Sequence, residues 1–312
     1  MRTGTIVAVC ALLSLIRCPS QASAQTNQIV PAPPGKLIDV GGYRVHLYCI
    51  GAGSPAVVIA GAGYSFDWGL VQPEVATFTQ VCAYDHSGIG WSDTGPKDSC
   101  SLRVSEIHAA LKNAGIRGPY VLVGHSLGGL VARVYVGQHP GEVAGIVFVD
   151  HAFFVDQMLS SIRPSTLPGV AKGPPPSITP PAPGTGRAVG LEDDPNFSML
   201  SSRDREFHLW ATAQARDQAA LQSNIEVSME CAEQADAIAK EHAQPLGDKP
   251  LVDISTDIPG PEYRKLQSDL LSLSRNSKQM VAEKSGHFVI IDRPDVVIDA
   301  IRQVVQSIRD NN

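Results

Sequence analysis

Gly124-His125-Ser126-Leu127-Gly128 sets a serine two residues from a glycine on either side, a spacing suited to a nucleophile at the tip of a sharp turn. Neighbouring backbone approaches such a tip so closely that side chains at the flanking positions would clash, a steric reason for glycine there. A helix starting directly behind the serine would aim free N–H groups at any negative charge developing nearby. The amide of Leu127 is then a natural oxyanion donor. A serine hydroxyl is a weak nucleophile and needs a base, most often histidine. Of nine histidines, His287 in Ser285-Gly286-His287-Phe288 is the best placed, behind the last strand-like run and just ahead of a final helical pattern. His125 abuts the serine, and its side chain is expected to diverge from Ser126. His86, His108, His139, His208 and His242 have no comparable context and read as surface or supporting residues.

The elements that must position these groups are legible from periodicity. Val121 to Val123 is a short apolar run of the kind buried in a parallel sheet, and Leu130, Val131, Val134 and Tyr135 recur at helical spacing. Residues 38–49 read as a hairpin around Gly41-Gly42. Further buried strands are expected at 56–60, 81–84, 120–123 and 146–149, with helices at 102–114 and 127–138. Strand-helix alternation argues an α/β fold with a mostly parallel sheet and helices on both faces. The rhythm breaks between Arg163 and Gly186, where eight prolines and four glycines exclude a strand or long helix. Residues 202–243 are helical in pattern, with Phe207, Trp210, Leu221, Ile225, Met229, Ala232 and Ile238 as the apolar side. Strands resume at 251–255 and 279–282, and a helix from about Pro294 buries Val297, Ile301, Val304 and Ile308. Residues 153–250 therefore read as an insertion within one domain.

The first 24 residues carry an early arginine, an apolar run and Ala22-Ser23-Ala24, the features of a secretory signal peptide cleaved after Ala24. The expected mature domain is 25–312, exported to the periplasm or outside the cell. The net charge of −6 becomes more negative once Arg2 and Arg17 leave with the leader, which gives no support to a nucleic-acid partner. No polybasic run suggests anionic lipid. Of six cysteines, Cys49, Cys82, Cys100 and Cys231 remain after the leader. In an exported chain they suggest two disulfides of open connectivity, against the alternative of buried thiols. Their spacing matches no common zinc pattern.

Four segments carry a family resemblance: Val57-Val58-Ile59-Ala60-Gly61-Ala62-Gly63, the run from Tyr84 to Asp93, Gly124 to Gly129, and Ser285 to Phe288. With them the chain resembles the α/β-hydrolase fold serine hydrolases, esterase- or lipase-like, with a helical cap inserted after the sixth strand. The resemblance implies Ser126 as nucleophile, His287 as base, and the amides of Ala62 and Leu127 as the oxyanion hole. Ala60-Gly61 stands where relatives often carry a histidine-glycine pair. Asp85-x-x-Gly88-x-Gly90-x-Ser92 is typical of the family and structures a loop near the site. The triad acid has two known places in this fold: after the strand that follows the cap, near Asp257, or at the end of the preceding strand, at Asp150. Pro259 occupies the usual position in the first place. Asp150 is favoured, because ends of parallel strands line the reactive crevice and a buried aspartate needs a partner. The resemblance places Cys49 and Cys82 side by side on antiparallel strands, implying that disulfide, and leaves Cys100 to pair with Cys231, which would tether the cap.

The expected activity is cleavage of small-molecule carboxylic esters through an acyl-enzyme intermediate, without metal or cofactor and without a stable membrane anchor once the leader is removed. A serine at the elbow argues against epoxide hydrolases and haloalkane dehalogenases, relatives that carry aspartate there. An aminopeptidase or amidase on the same scaffold is the alternative, with Glu192, Asp193 and Asp194 as a cluster for a substrate amine or simply a solvated loop. A non-catalytic binding protein of this fold is the rival from another class.

Overall fold

The computed structural model describes residues 30–61, 63–151, 190–242, 244–257 and 268–311. The expected leader, Ala62 and the proline-rich stretch lie outside the described residues. Among the described residues there are eight strands: β1 (Lys36–Asp39), β2 (Arg44–Ile50), β3 (Val57–Ala60), β4 (Val81–Asp85), β5 (Tyr120–His125), β6 (Val143–Val149), β7 (Leu251–Thr256) and β8 (Ser277–Ala282). They form one sheet in the order β1-β2-β4-β3-β5-β6-β7-β8. The two pairings at the β1 end are antiparallel and all others parallel. Strands β3, β4 and β5 are buried along their whole length, which is why they read as unbroken apolar runs.

The helices are α1 (Gln72–Val75), α2 (Cys100–Asn113), α3 (Leu127–Gln138), α4 (Ser202–Thr212), α5 (Ala215–Gln222), α6 (Asn224–Glu241), α7 (Val289–Asp292) and α8 (Pro294–Asp310). Side chains alternate across the sheet, so β5 sends Leu122 to one face and Val121 and Val123 to the other. On the first face Leu122 and Phe148 pack with Val104 of α2, Leu130 of α3 and Val227 of α6. On the other, Val121, Val147 and Ile254 pack with Val297, Ile301 and Val304 of α8. From Ala32 onward the chain forms one compact unit, and the sheet with helices on both faces is the α/β-hydrolase fold. Helix α2 begins two residues earlier than its apolar pattern suggests, because the Ser99 hydroxyl accepts the Leu102 N–H (3.1 Å) and caps it.

Between β6 and β7 the described chain forms α4, α5 and α6 rather than one amphipathic run. Breaks at Ala213-Gln214 and at Ser223 reset the helical phase, and this corrects the expected apolar side. Ile225 and Met229 are exposed, and α6 instead buries Val227, Ser228, Cys231, Ala232 and Ala235. Ile238 presses so closely on α3 that a Cβ at Gly137 would lie 2.4 Å from it. Several contacts fasten these helices to the rest of the chain, three of them around α2 and the loop after β4. Cys100 and Cys231 are joined by a disulfide. Arg103, buried in α2, bonds both oxygens of Asp98 (3.0 and 2.6 Å) and the Asn224 side chain (2.7 Å). Asp217 accepts the Gly90 N–H (2.8 Å), while Arg216 donates to the Ser92 carbonyl (3.1 Å). Cys49 and Cys82 are register partners on β2 and β4 and form the second disulfide.

Candidate active site

Ser126 sits where β5 turns into α3, with φ 54° and ψ −126°. A non-glycine residue in that region is strained and persists only when its surroundings hold it. They do. A Cβ at Gly124 would meet the Gly129 Cα at 2.5 Å, and one at Gly128 would lie 1.6 Å from the Ala60 carbonyl oxygen. The glycine spacing thus brings the end of β3 against the first turn of α3. Leu127 is the first residue of that helix, so its N–H has no acceptor within the helix. The Ser126 N–H donates to the Val149 carbonyl (3.2 Å), and the Asp150 N–H to the Ile254 carbonyl (2.8 Å). The ends of β5, β6 and β7 are knitted together by these bonds.

Asp150, fully buried and at φ 43°, follows β6 directly. His287 lies in the loop between β8 and α7, and its Nδ1 is 2.7 Å from Asp150 Oδ2. Asp257 is not brought to that ring. Exposed after β7, it accepts the backbone N–H of Lys284 through Oδ2 (3.2 Å). The His287 loop is gripped from two further sides that sequence reasoning missed. His125 Nε2 donates to the His287 carbonyl (2.8 Å), its ring 4.8 Å from that of His287. Asp292 accepts the Gly286 N–H (2.7 Å) and, through the same oxygen, lies 3.3 Å from the Ser285 hydroxyl. The expected divergence of His125 from Ser126 accordingly ends in a contact that orients the histidine loop.

Two buried groups complete the surroundings. His151 Nδ1 donates to the Ser126 carbonyl (3.2 Å), its ring filling the space a Cβ on Gly129 would need. Burial, reinforced by the Arg133 charge, pushes its imidazole down to about 3. Asp253, inside β7, is pushed up to about 8 by burial and by the charge of Asp150, so it is protonated at neutral pH. Neither carries a motif. A carboxylate within an apolar strand was the available signal for Asp253.

The Asp85 motif does organise the neighbouring loop. Asp85 accepts the Ser65 N–H (2.6 Å) and pairs with His46 Nδ1 (2.8 Å), and the Ser92 hydroxyl donates to the Asp85 carbonyl (2.6 Å). His86 and His208 are buried, not at the surface. His208 of α4 bridges Asp67 (2.7 Å) and Glu192 (2.9 Å), joining α4 to the turn behind β3. Glu192 is therefore committed to an imidazole, while Asp193 and Asp194 accept local backbone N–H groups from Gly190 and Asn196. The acidic triplet is thus tied into local contacts, with Asp193 still exposed.

Comparison with known proteins agrees with this architecture. The model of the alpha/beta hydrolase family matches residues 56–300, and the chain belongs to that family. An uncharacterized protein of Schizosaccharomyces pombe is 43% identical over 89 residues, 28% of this chain, and the chain spans only 16% of that protein's length. The meta-cleavage product hydrolase CumD from Pseudomonas fluorescens is 19% identical with a TM-score of 0.60, covering 90% of this chain and 99% of that one. The epoxide hydrolase CorEH is 17% identical with a TM-score of 0.59, covering 87% and 97%. At such identities the likeness is one of fold.

Proposed function

We propose that this protein is an exported serine hydrolase that cleaves carboxylic esters through an acyl-enzyme intermediate. The observation that carries the reading is the 2.7 Å contact of His287 Nδ1 with a fully buried Asp150, in a loop held beside the strained Ser126 turn. Ser126 Oγ attacks the acyl carbonyl while His287 takes its proton at Nε2. Asp150 holds the ring in the required tautomer and stabilises the imidazolium that forms. The Leu127 amide, with that of Ala62 after β3, receives the oxyanion. His287 then returns the proton to the departing alcohol, and water activated by the same imidazole resolves the acyl-enzyme.

Amide cleavage on the same scaffold is the alternative; of the acidic triplet that could hold a substrate amine, Glu192 already pairs with His208. Epoxide chemistry of the kind named for one structural neighbour would, in this fold, call for an aspartate where Ser126 stands. A fluorophosphonate probe tests the nucleophile: stoichiometric labelling at Ser126, with turnover of aryl esters exceeding that of an aminoacyl anilide, is the expected result. Hydrolytic activity without labelling would overturn the serine mechanism. Sequencing the N-terminus of the exported protein tests the leader, with Gln25 expected first.

A further inference from the structure

At the far end of α3 from Ser126, three side chains from three elements converge. His108 lies in the last turns of α2, His139 is the residue that ends α3, and Glu142 closes the short turn Pro140–Glu142 leading into β6. Their nearest ligand atoms all lie within 4.8 Å of one another, and each residue is half-buried. The imidazoles stack with centroids 4.3 Å apart and planes 6° from parallel. His108 Nδ1 is 3.2 Å from Glu142 Oε2.

We propose that His108, His139 and Glu142 form a binding site for one zinc-class divalent transition-metal ion. Two ligand atoms each about 2.1 Å from a tetrahedral zinc lie about 3.4 Å apart. The His108–Glu142 separation already matches that edge, so a cation can replace the proton the pair shares. His139 offers the third ligand atom, within 4.8 Å of the other two, and would turn out of its stack on His108 to close the set, with water in the fourth position. Two imidazoles with one carboxylate suit zinc and its borderline neighbours, and do not suit calcium or magnesium.

Two further features favour a cation here. The Tyr135 hydroxyl donates to Glu142 Oε2 (2.6 Å), the kind of outer bond that orients a ligating carboxylate. The carbonyl end of α3 adds partial negative charge where His139 sits. Twelve helical residues put this cluster about 18 Å from Ser126, so the ion would clamp α2, α3 and the entry to β6 rather than take part in acyl transfer.

The test uses the full, untagged, metal-free chain titrated with zinc chloride by calorimetry, and with cobalt by visible absorption. Expected are one equivalent bound, an intense tetrahedral cobalt spectrum, and a thermal midpoint that rises with zinc concentration. The variants His108→Gln/His139→Gln and Glu142→Gln should lose the site. Tyr135→Phe, which keeps every ligand, should weaken it roughly tenfold to a hundredfold. Absence of stoichiometric binding by the wild type overturns the proposal. So does zinc binding that survives in either ligand variant, since the ion would then sit elsewhere. Should the double variant fail to fold, Glu142→Gln and the wild-type cobalt spectrum decide alone.

Discussion

Asp150 Oδ2 and His287 Nδ1 are 2.7 Å apart across 137 residues of sequence. The contact joins the end of a central strand to a loop near the chain's end, and it passes over Asp257, which is much closer in sequence. Asp150→Asn should therefore cut ester turnover by a factor on the order of 10⁴, by spoiling the tautomer and charge stabilisation of the ring. Asp257→Asn should leave turnover near that of the wild type. Steady-state kinetics on the two variants, with circular dichroism to confirm folding, separate the carboxylates; the reverse pattern would move the acid to Asp257.

Ser126→Ala removes one hydroxyl from a turn held by its neighbours. Turnover should fall by roughly 10⁶-fold and fluorophosphonate labelling should vanish. Stability should hold or rise slightly. Residual labelling on another residue would contradict the assignment.

His125 acts through the position of another residue. His125→Phe keeps a ring against His287 and deletes the bond to its carbonyl, so kcat should drop roughly tenfold to a hundredfold with KM little changed. A rise in KM at constant kcat would instead point to a binding role.

Stability should depend on pH with two opposite signs. His86, His125 and His151 are depressed to about 3, 4 and 3, in each case chiefly by burial. The unfolded chain would bind their protons first, so their contribution is complete above about pH 6.5 and declines as pH falls, by up to about 1.4 kcal/mol per unit for each group. Asp253, raised to about 8, holds its proton when the unfolded chain has released it. Its contribution falls as pH rises from about 4 to 8. Urea melts of the wild type and of Asp253→Asn over that range check both slopes; the variant should lose the decline between about pH 6.5 and 8, where the histidines no longer contribute.

Removing the Cys100–Cys231 link by a double serine substitution frees a span of 131 residues, against 33 for Cys49–Cys82. Loop entropy gives an upper loss of about 5 kcal/mol for the first and about 4 for the second. The larger difference should appear in proteolysis. Cleavage within α4 to α6 should accelerate in the first variant only.

The sheet was legible because its central strands are buried on both faces and leave unbroken apolar runs at β3 and β5. Helices α4 to α6 were less so. The breaks at Gln214 and Ser223 involve neither proline nor glycine, and the misplaced Ile225 and Met229 follow from that. Ser126 and His287 were singled out by motif and Asp150 by its place after four apolar residues, and the structure brings Asp150 and His287 into contact. The burial of His208 could not be foreseen, since its partner Asp67 lies 141 residues away. The grip of His125 on His287 spans 162 residues and has no local signature.

Gly128 and Ser126 are two positions apart and answer to different constraints. Any side chain at Gly128 would drive into the Ala60 carbonyl, so substitution there should fail at folding. Substitution at Ser126 should fail only at chemistry. A descendant of this chain could thus surrender catalysis in a single step and persist as a well-folded, silent protein, its glycines intact. The glycines bear witness to the turn; only the hydroxyl would bear witness to the proposed reaction.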